Sequence, residues 1–280
     1  MLLLVDLDGV VYRGTDPVPG MAALLTERVA AGDDVVYVTN NSMHYRADYV
    51  MRLAAMGAPV TADRVVSAPR ATALYLIEHE PAVRRVLTVG ASGLDRELRD
   101  VGLDVIQAAH VAERMAKEGI DGWAAAGHPE AVVAGLDPQL TYMRVAAAAD
   151  CIRAGARFIA TNRDPIYPTE RGLRPGAGSV IAAIETAAGV RPLVIGKPEP
   201  LLLAEAARAA GADLSDAVVI GDGLLTDIAA ARAVGARSVL MLTGVSTQAQ
   251  VDELPPAERP MYVVAEANEL RTALERLARS

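Results

Sequence analysis

Short continuous apolar runs alternate with longer stretches in which apolar residues recur at helical spacing. The runs are Leu2–Val5, Val35–Val38, Val65–Val66, Val86–Val89, Ala131–Ala134, Phe158–Ala160, Leu193–Ile195, Ala217–Ile220 and Ser238–Leu242. Such unbroken apolar character marks strands buried on both faces. Helical patterns lie at Met21–Ala31, Tyr45–Met56, Pro69–His79, Gln139–Ala154, Ala177–Ala188, Pro200–Ala210, Thr226–Val234 and Glu266–Ala278. Several close on glycine, as Ala177–Ala188 does at Gly189, where a left-handed cap residue is wanted. Strand–helix alternation predicts an α/β fold, a Rossmann-like doubly wound parallel sheet with helices on both faces. The segment 81–191 carries none of the polar strand-end clusters described below, apart from one loop. It reads as an inserted α/β unit, leaving a core made of 1–80 and 192–280.

In open parallel sheets, ligands gather beyond the carboxyl ends of the strands. The residues that follow four of the runs are therefore the candidate chemistry. Leu2–Val5 leads into Asp6-Leu7-Asp8-Gly9, and Val35–Val38 into Thr39-Asn40-Asn41-Ser42. Leu193–Ile195 leads into Gly196-Lys197-Pro198, and Ala217–Ile220 into Gly221-Asp222-Gly223-Leu224-Leu225-Thr226-Asp227. Taken singly, each has a plain alternative: a turn, a capped loop, a solvated lysine, or a helix N-cap at Asp227. If the sheet brings them together, four carboxylates and one lysine meet in one crevice. Clustered carboxylates repel unless a cation sits among them. Oxygen ligands without histidine suit a hard ion, and Mg²⁺ is the expected one. Thr39, Asn40, the backbone N–H groups at Gly9 and Asn41, and the point charge of Lys197 then suit a phosphate group.

Composition narrows the classes. The 280 residues carry 27 Lys+Arg against 35 Asp+Glu, a net charge of −8, which argues against a nucleic-acid partner. Cys151 is the only cysteine, so no intrachain disulfide forms. The four histidines make no i,i+3 or i,i+4 pair of the kind that builds a zinc site on a helix. The opening run Met1–Val5 is too short for a signal peptide or a membrane span, and charges interrupt every other apolar run. A cytoplasmic protein without a membrane partner is expected.

With these clusters in order, the sequence resembles the haloacid dehalogenase-like (HAD) hydrolases. Asp6-Leu7-Asp8-Gly9-Val10 matches the first motif of that superfamily, Thr39-Asn40-Asn41 the second, Lys197 the third, and Gly221-Asp222 with Asp227 the fourth. It is similar more narrowly to the NagD-like, p-nitrophenyl phosphatase-like branch. The further matches are Val11-Tyr12, Phe158-Ile159-Ala160-Thr161-Asn162, Pro168-Thr169, Pro175-Gly176-Ala177-Gly178-Ser179 and Leu242-Thr243-Gly244-Val245. The resemblance implies a large α/β cap between the second and third motifs. It also implies a Mg²⁺-dependent phosphatase that acts on a small phosphorylated metabolite through an aspartyl-phosphate. Asp6 would be the nucleophile and Asp8 the acid and base, with Asp8 held protonated for the first step. Asp6, the backbone carbonyl of Asp8, and Asp222 would bind the metal. Asp227 would lie behind them and orient a metal water or Lys197.

The loop with Asn162, Arg163, Asp164 and Tyr167 resembles the cap loop that selects substrate, with Arg163 where the branch usually has proline. Arg163 either attracts an acidic group on the substrate or is an ordinary exposed arginine. A second departure is Gly223-Leu224, where the branch often has a polar residue. Gly176-Ala177-Gly178 lacks the third glycine of a dinucleotide fingerprint and reads as a helix start. His128 reads as a surface or core histidine. Two other functions share the same pocket: phosphate transfer to a second alcohol or a mutase reaction, and a non-catalytic phosphometabolite sensor. The substrates left open are glycerol phosphate, phosphoglycolate, nucleoside monophosphates and pyridoxal phosphate. A homodimer paired through the cap is a further expectation.

Overall fold

The computed structural model describes residues 1–169 and 172–279. They form two compact units. The first comprises Met1–Thr39, Ala47–Ser67 and the chain from Lys197 onward; the second comprises Asn40–Arg46 and Ala68–Gly196.

The first unit is built on six strands: β1 (Leu2–Asp6), β2 (Asp34–Thr39), β3 (Val65–Ser67), β4 (Ala217–Gly221), β5 (Arg237–Met241) and β6 (Tyr262–Val264). All pairings are parallel, in the order β6-β5-β4-β1-β2-β3. β1 is central, with Val5 opposite Ile220 of β4 on one side and Tyr37 of β2 on the other. Leu3, Leu4, Val5, Val219 and Ile220 are fully buried, as their unbroken apolar sequence requires. The chain winds from β1 outward through β2 and β3, and then returns to the other side of β1 at β4. The winding direction therefore reverses between β1 and β4, and the carboxyl ends of those two strands are where a ligand crevice forms in such sheets. Asp6 ends β1, and Asp222 follows β4 directly.

One helix differs from expectation. The pattern at Thr226–Val234 predicts an α-helix, but the chain opens with a π-helical turn at Leu224–Ile228 before the α-helix Ala229–Ala233. In that turn the N–H of Ile228 donates to the carbonyl of Gly223, five residues back. The Asp227 carboxylate folds back at the same place to accept from the Gly223 N–H at 3.0 Å. Single π turns of this sort recur at functional sites.

The second unit carries its own five-stranded parallel sheet. Its order is Leu193–Val194, Arg157–Ala160, Ala131–Ala134, Arg85–Val89, Asp104–Gln107. An antiparallel hairpin pairs Ile166–Thr169 with Gly172–Pro175. The edge strand Asp104–Gln107, this hairpin and the helices Ser92–Asp100 and Ala108–Glu118 are absent from the sequence reading. Their polarity is the reason. Ser92–Asp100 buries Asp95 and Glu97 beside Leu94 and Leu98, each acid held by a specific partner. Thr88 Oγ1 donates to Asp95 at 2.6 Å, and Glu97 accepts from the Arg46 backbone and guanidinium at 3.0 and 3.1 Å. The unit also takes in more than the expected 81–191. The helix Ala68–His79 packs on Ser92–Asp100, and residues 40–46 are tied to that helix through Arg46. Among the described residues, no helix is long and apolar enough to cross a membrane.

Leu4→Ala should leave a cavity in the middle of the first sheet. The expected loss is about 2–5 kcal/mol of unfolding free energy, measured by chemical denaturation.

Candidate active site

The site grows from the β1–β4 switch point. Lys197 begins the last segment of the first unit, and its side chain is buried, at 2% exposure. Its Nζ donates to Asp6 Oδ1 at 2.5 Å and to Asp227 Oδ1 at 2.6 Å. A buried ammonium needs such partners, because an unpaired one is strongly penalised. Burial alone would push the Lys197 ammonium down. The carboxylates of Asp227 and Asp6 outweigh it and push its pKa up, so it stays charged.

The carboxylates are crowded. Oxygens of Asp6, Asp222 and Asp227 lie within 4.8 Å of one another, and all three residues are buried. Burial raises the Asp6 carboxyl well above the usual carboxylate range; Lys197 pulls it back, while Asp227 and Asp222 add to the rise. Burial, followed by Asp227, pushes Asp222 up to about 6 against the opposing N–H of Val245 and the charge of Lys197.

Two loops close around Asp222. The N–H of Val245 donates to its Oδ2 at 2.8 Å, and the N–H of Ser246 to its carbonyl at 3.2 Å. Thr243 Oγ1 donates to the carbonyl of Gly9 at 2.5 Å, stitching the turn after β1 to the loop after β5. Gly9 stands at φ +83, and a Cβ there would run into the Asp222 carboxylate; Gly244 packs on the same side chain equally closely. Glycine at these two places is a condition for Asp222 to occupy its position. Thr243, Gly244, Val245 and Ser246 have no assigned role in the sequence reading. The signal for them is a run of small and polar residues directly after a buried strand.

The first unit thus brings together Asp6, Lys197, Asp222 and Asp227, with Asp8 and Gly9 in the turn after β1 and Thr39 buried at the end of β2 beside it. Asn40 and Asn41 follow Thr39 but belong to the second unit. Asn41 Oδ1 accepts from the N–H of Met43 at 2.9 Å. In the second unit, Asn162 and Asp164 both hydrogen-bond Asn40. The Arg163 guanidinium is paired with Glu185 at 2.7 Å, so its charge is matched within its own unit. Tyr167 sits opposite Arg174 in the hairpin. His128 stacks on Trp123, with ring centroids 5.1 Å apart.

The comparisons with known proteins agree with this geometry. A family model described as haloacid dehalogenase-like hydrolase matches residues 3–104, and one described as HAD-hydrolase-like matches residues 194–270. The acid sugar phosphatase of Staphylococcus aureus is 35% identical over 98% of this chain and 97% of its own length. The p-nitrophenyl phosphatase from Archaeoglobus fulgidus superposes with a TM-score of 0.83 at 31% identity, covering 97% of this chain and 98% of that one. The glycerol phosphate phosphatase from Mycobacterium tuberculosis, solved in complex with magnesium, superposes with a TM-score of 0.81 at 36% identity, covering 96% of this chain and 75% of that one. The chain belongs to the haloacid dehalogenase-like hydrolases. Within them it is a phosphatase of the NagD-like, p-nitrophenyl phosphatase-like branch.

A carboxyl whose folded pKa stands above its unfolded value stabilises the fold while it is protonated. For Asp222 that contribution is complete below about pH 4 and is lost as pH rises through about 6. Asp222→Asn should therefore melt at a higher temperature than the parent at pH 7 in the presence of a chelator. The difference should shrink towards pH 4, as followed by thermal melts across that range.

Proposed function

We propose that this chain is a Mg²⁺-dependent phosphomonoester phosphatase that hydrolyses a small phosphorylated metabolite through an aspartyl-phosphate on Asp6. The observation that carries the reading is the ammonium of Lys197 held between Asp6 and Asp227, with Asp222 alongside. One ammonium leaves the three buried carboxylates with a formal excess of two negative charges. The set is all oxygen, which fits a hard divalent cation. Asp6, the carbonyl of Asp8 and Asp222 would hold Mg²⁺, which when bound neutralises charge on the phosphate oxygens. Asp227 is the poorer ligand, since its Oδ1 is engaged by Lys197 and its Oδ2 by the Gly223 N–H. Its role is to fix the ammonium.

In the first step a carboxylate oxygen of Asp6 forms a bond to phosphorus. The bond from phosphorus to the substrate's alcohol oxygen breaks, and the carboxyl of Asp8 gives that oxygen its proton. In the second step the Asp8 carboxylate takes a proton from water. The water oxygen bonds to phosphorus, and the Asp6–phosphorus bond breaks to release phosphate. Lys197, Thr39, Asn40 and the backbone N–H of Asn41 would donate to the equatorial oxygens, where charge accumulates in the loose transition state. The N–H of Gly9, expected from the sequence to join them, instead donates to the carbonyl of Tyr12 at 2.7 Å and closes the turn after β1. The relatives named above act on sugar phosphates, glycerol phosphate and p-nitrophenyl phosphate. Small phosphomonoesters with a polyhydroxylated carbon chain are accordingly the proposed substrates.

Asp6→Asn should abolish release of inorganic phosphate from p-nitrophenyl phosphate, glycerol 3-phosphate and hexose phosphates in Mg²⁺; turnover surviving in that variant would refute the nucleophile. A chelator should stop the parent enzyme. Restoring Mg²⁺ should recover it, while Ca²⁺ should do so poorly because its looser coordination misplaces the attacking oxygen.

A further inference from the structure

The loop containing Asn162 and Asp164 resembles a substrate-selecting segment, but its hydrogen bonds converge on Asn40. Asn162 Nδ2 donates to the backbone oxygen of Asn40 at 2.7 Å. Asn162 Oδ1 accepts from the backbone N–H of Asp164 at 3.0 Å. The Asp164 carboxylate accepts from Asn40 Nδ2, with 3.1 and 3.2 Å to its two oxygens. The three links close a ring between segments more than 120 positions apart in sequence. Asn40 and Asn162 are both buried.

The far side of the Asn40 amide is walled by Gly196. A Cβ at Gly196 would stand 2.6 Å from Asn40 Oδ1 and 2.9 Å from Asn162 Cβ. The N–H of Gly196 donates to the carbonyl of Thr161 at 2.8 Å. The segment Thr161–Asp164 therefore grips two residues, each one peptide bond from a proposed phosphate ligand: Asn40 next to Thr39, and Gly196 next to Lys197. Arg163 lies within this segment but turns to Glu185.

An asparagine free to rotate loses side-chain entropy when it binds a ligand; one already fixed does not. We infer that Asn162 and Asp164 are positioning residues for the phosphate group rather than readers of the rest of the substrate. The ring Asn40–Asn162–Asp164 sets the direction of the Asn40 amide, and Gly196 limits where that amide goes. The inference rests on the phosphatase reading above. The phosphoryl group is common to every substrate, so loosening the ring lowers turnover of all of them by one factor. Misplacement of such a contact by about 1 Å costs on the order of 100-fold.

The test compares Asp164→Ala, Asp164→Asn and the parent in Mg²⁺. It measures kcat/KM for p-nitrophenyl phosphate, glycerol 3-phosphate and a hexose phosphate, together with inhibition by inorganic phosphate. Asp164→Ala should lower kcat/KM by about 10- to 100-fold, equally for the three substrates, and should weaken phosphate inhibition. Asp164→Asn keeps an acceptor oxygen and should recover most of the loss. A changed ranking among the substrates, unchanged kinetics, or a fall in activity without weaker phosphate inhibition would overturn the role. Asp6→Asn run alongside separates the two claims. Residual turnover there refutes the phosphatase mechanism itself, whereas an inactive Asp6→Asn with a re-ordered ranking in Asp164→Ala refutes only the ring.

Discussion

The buried ammonium of Lys197 is the constraint around which the first unit is arranged. It lies 2.5 Å from Asp6 and 2.6 Å from Asp227, with nearly all of its surface removed from water. Neither the lysine nor the two acids would tolerate that burial alone. Their mutual neutralisation requires the end of β1, the start of the last core segment and the turn after β4 to converge. The parallel sheet provides this by reversing its winding between β1 and β4. The π-helical turn at Leu224–Ile228 follows from the same demand, because Asp227 must face the lysine while its second oxygen accepts from Gly223.

The remaining excess of negative charge gives the site its chemistry. Asp6 and Asp222 are both pushed upward by burial and by neighbouring acids, with Lys197 opposing the rise at each. The backbone is shaped to hold that arrangement in place. Glycines 9 and 244 leave room for the Asp222 carboxylate, and the N–H of Val245 fixes one of its oxygens.

The second unit shows how polar burial is handled away from the chemistry. Asp95 and Glu97 on Ser92–Asp100 are buried but fully matched by Thr88, Gln107 and Arg46. Cys151 is likewise buried, which pushes its thiol up to about 12, so it is an inert packing residue. The cluster of Asn40, Asn162 and Asp164 is different in kind, because its backbone is continuous with Thr39.

Each of the nine apolar runs contains a strand, because a strand buried on both faces has no choice but to be apolar throughout; Leu193–Val194, at a sheet edge, is the half-buried case. The acids, lysine and hydroxyl-amide cluster directly behind those runs were equally legible, since the carboxyl ends of parallel strands are where polar side chains can meet. The edge strand Asp104–Gln107 and the helix Ser92–Asp100 were not legible. Their burial depends on ion pairs and hydrogen bonds whose partners lie far off in sequence, which periodicity does not register. Nor could sequence alone place Asn40 with Asn162 and Asp164, assign Val245 and Thr243 to the support of Asp222 and Gly9, or turn Arg163 towards Glu185. Local pattern determined most of the buried strands, though not Asp104–Gln107 or Tyr262–Val264, and which residues stand at their ends; only the tertiary fold decided which of those polar groups face one another, because hydrogen bonds and charge pairs are contacts in space that leave no period along the chain.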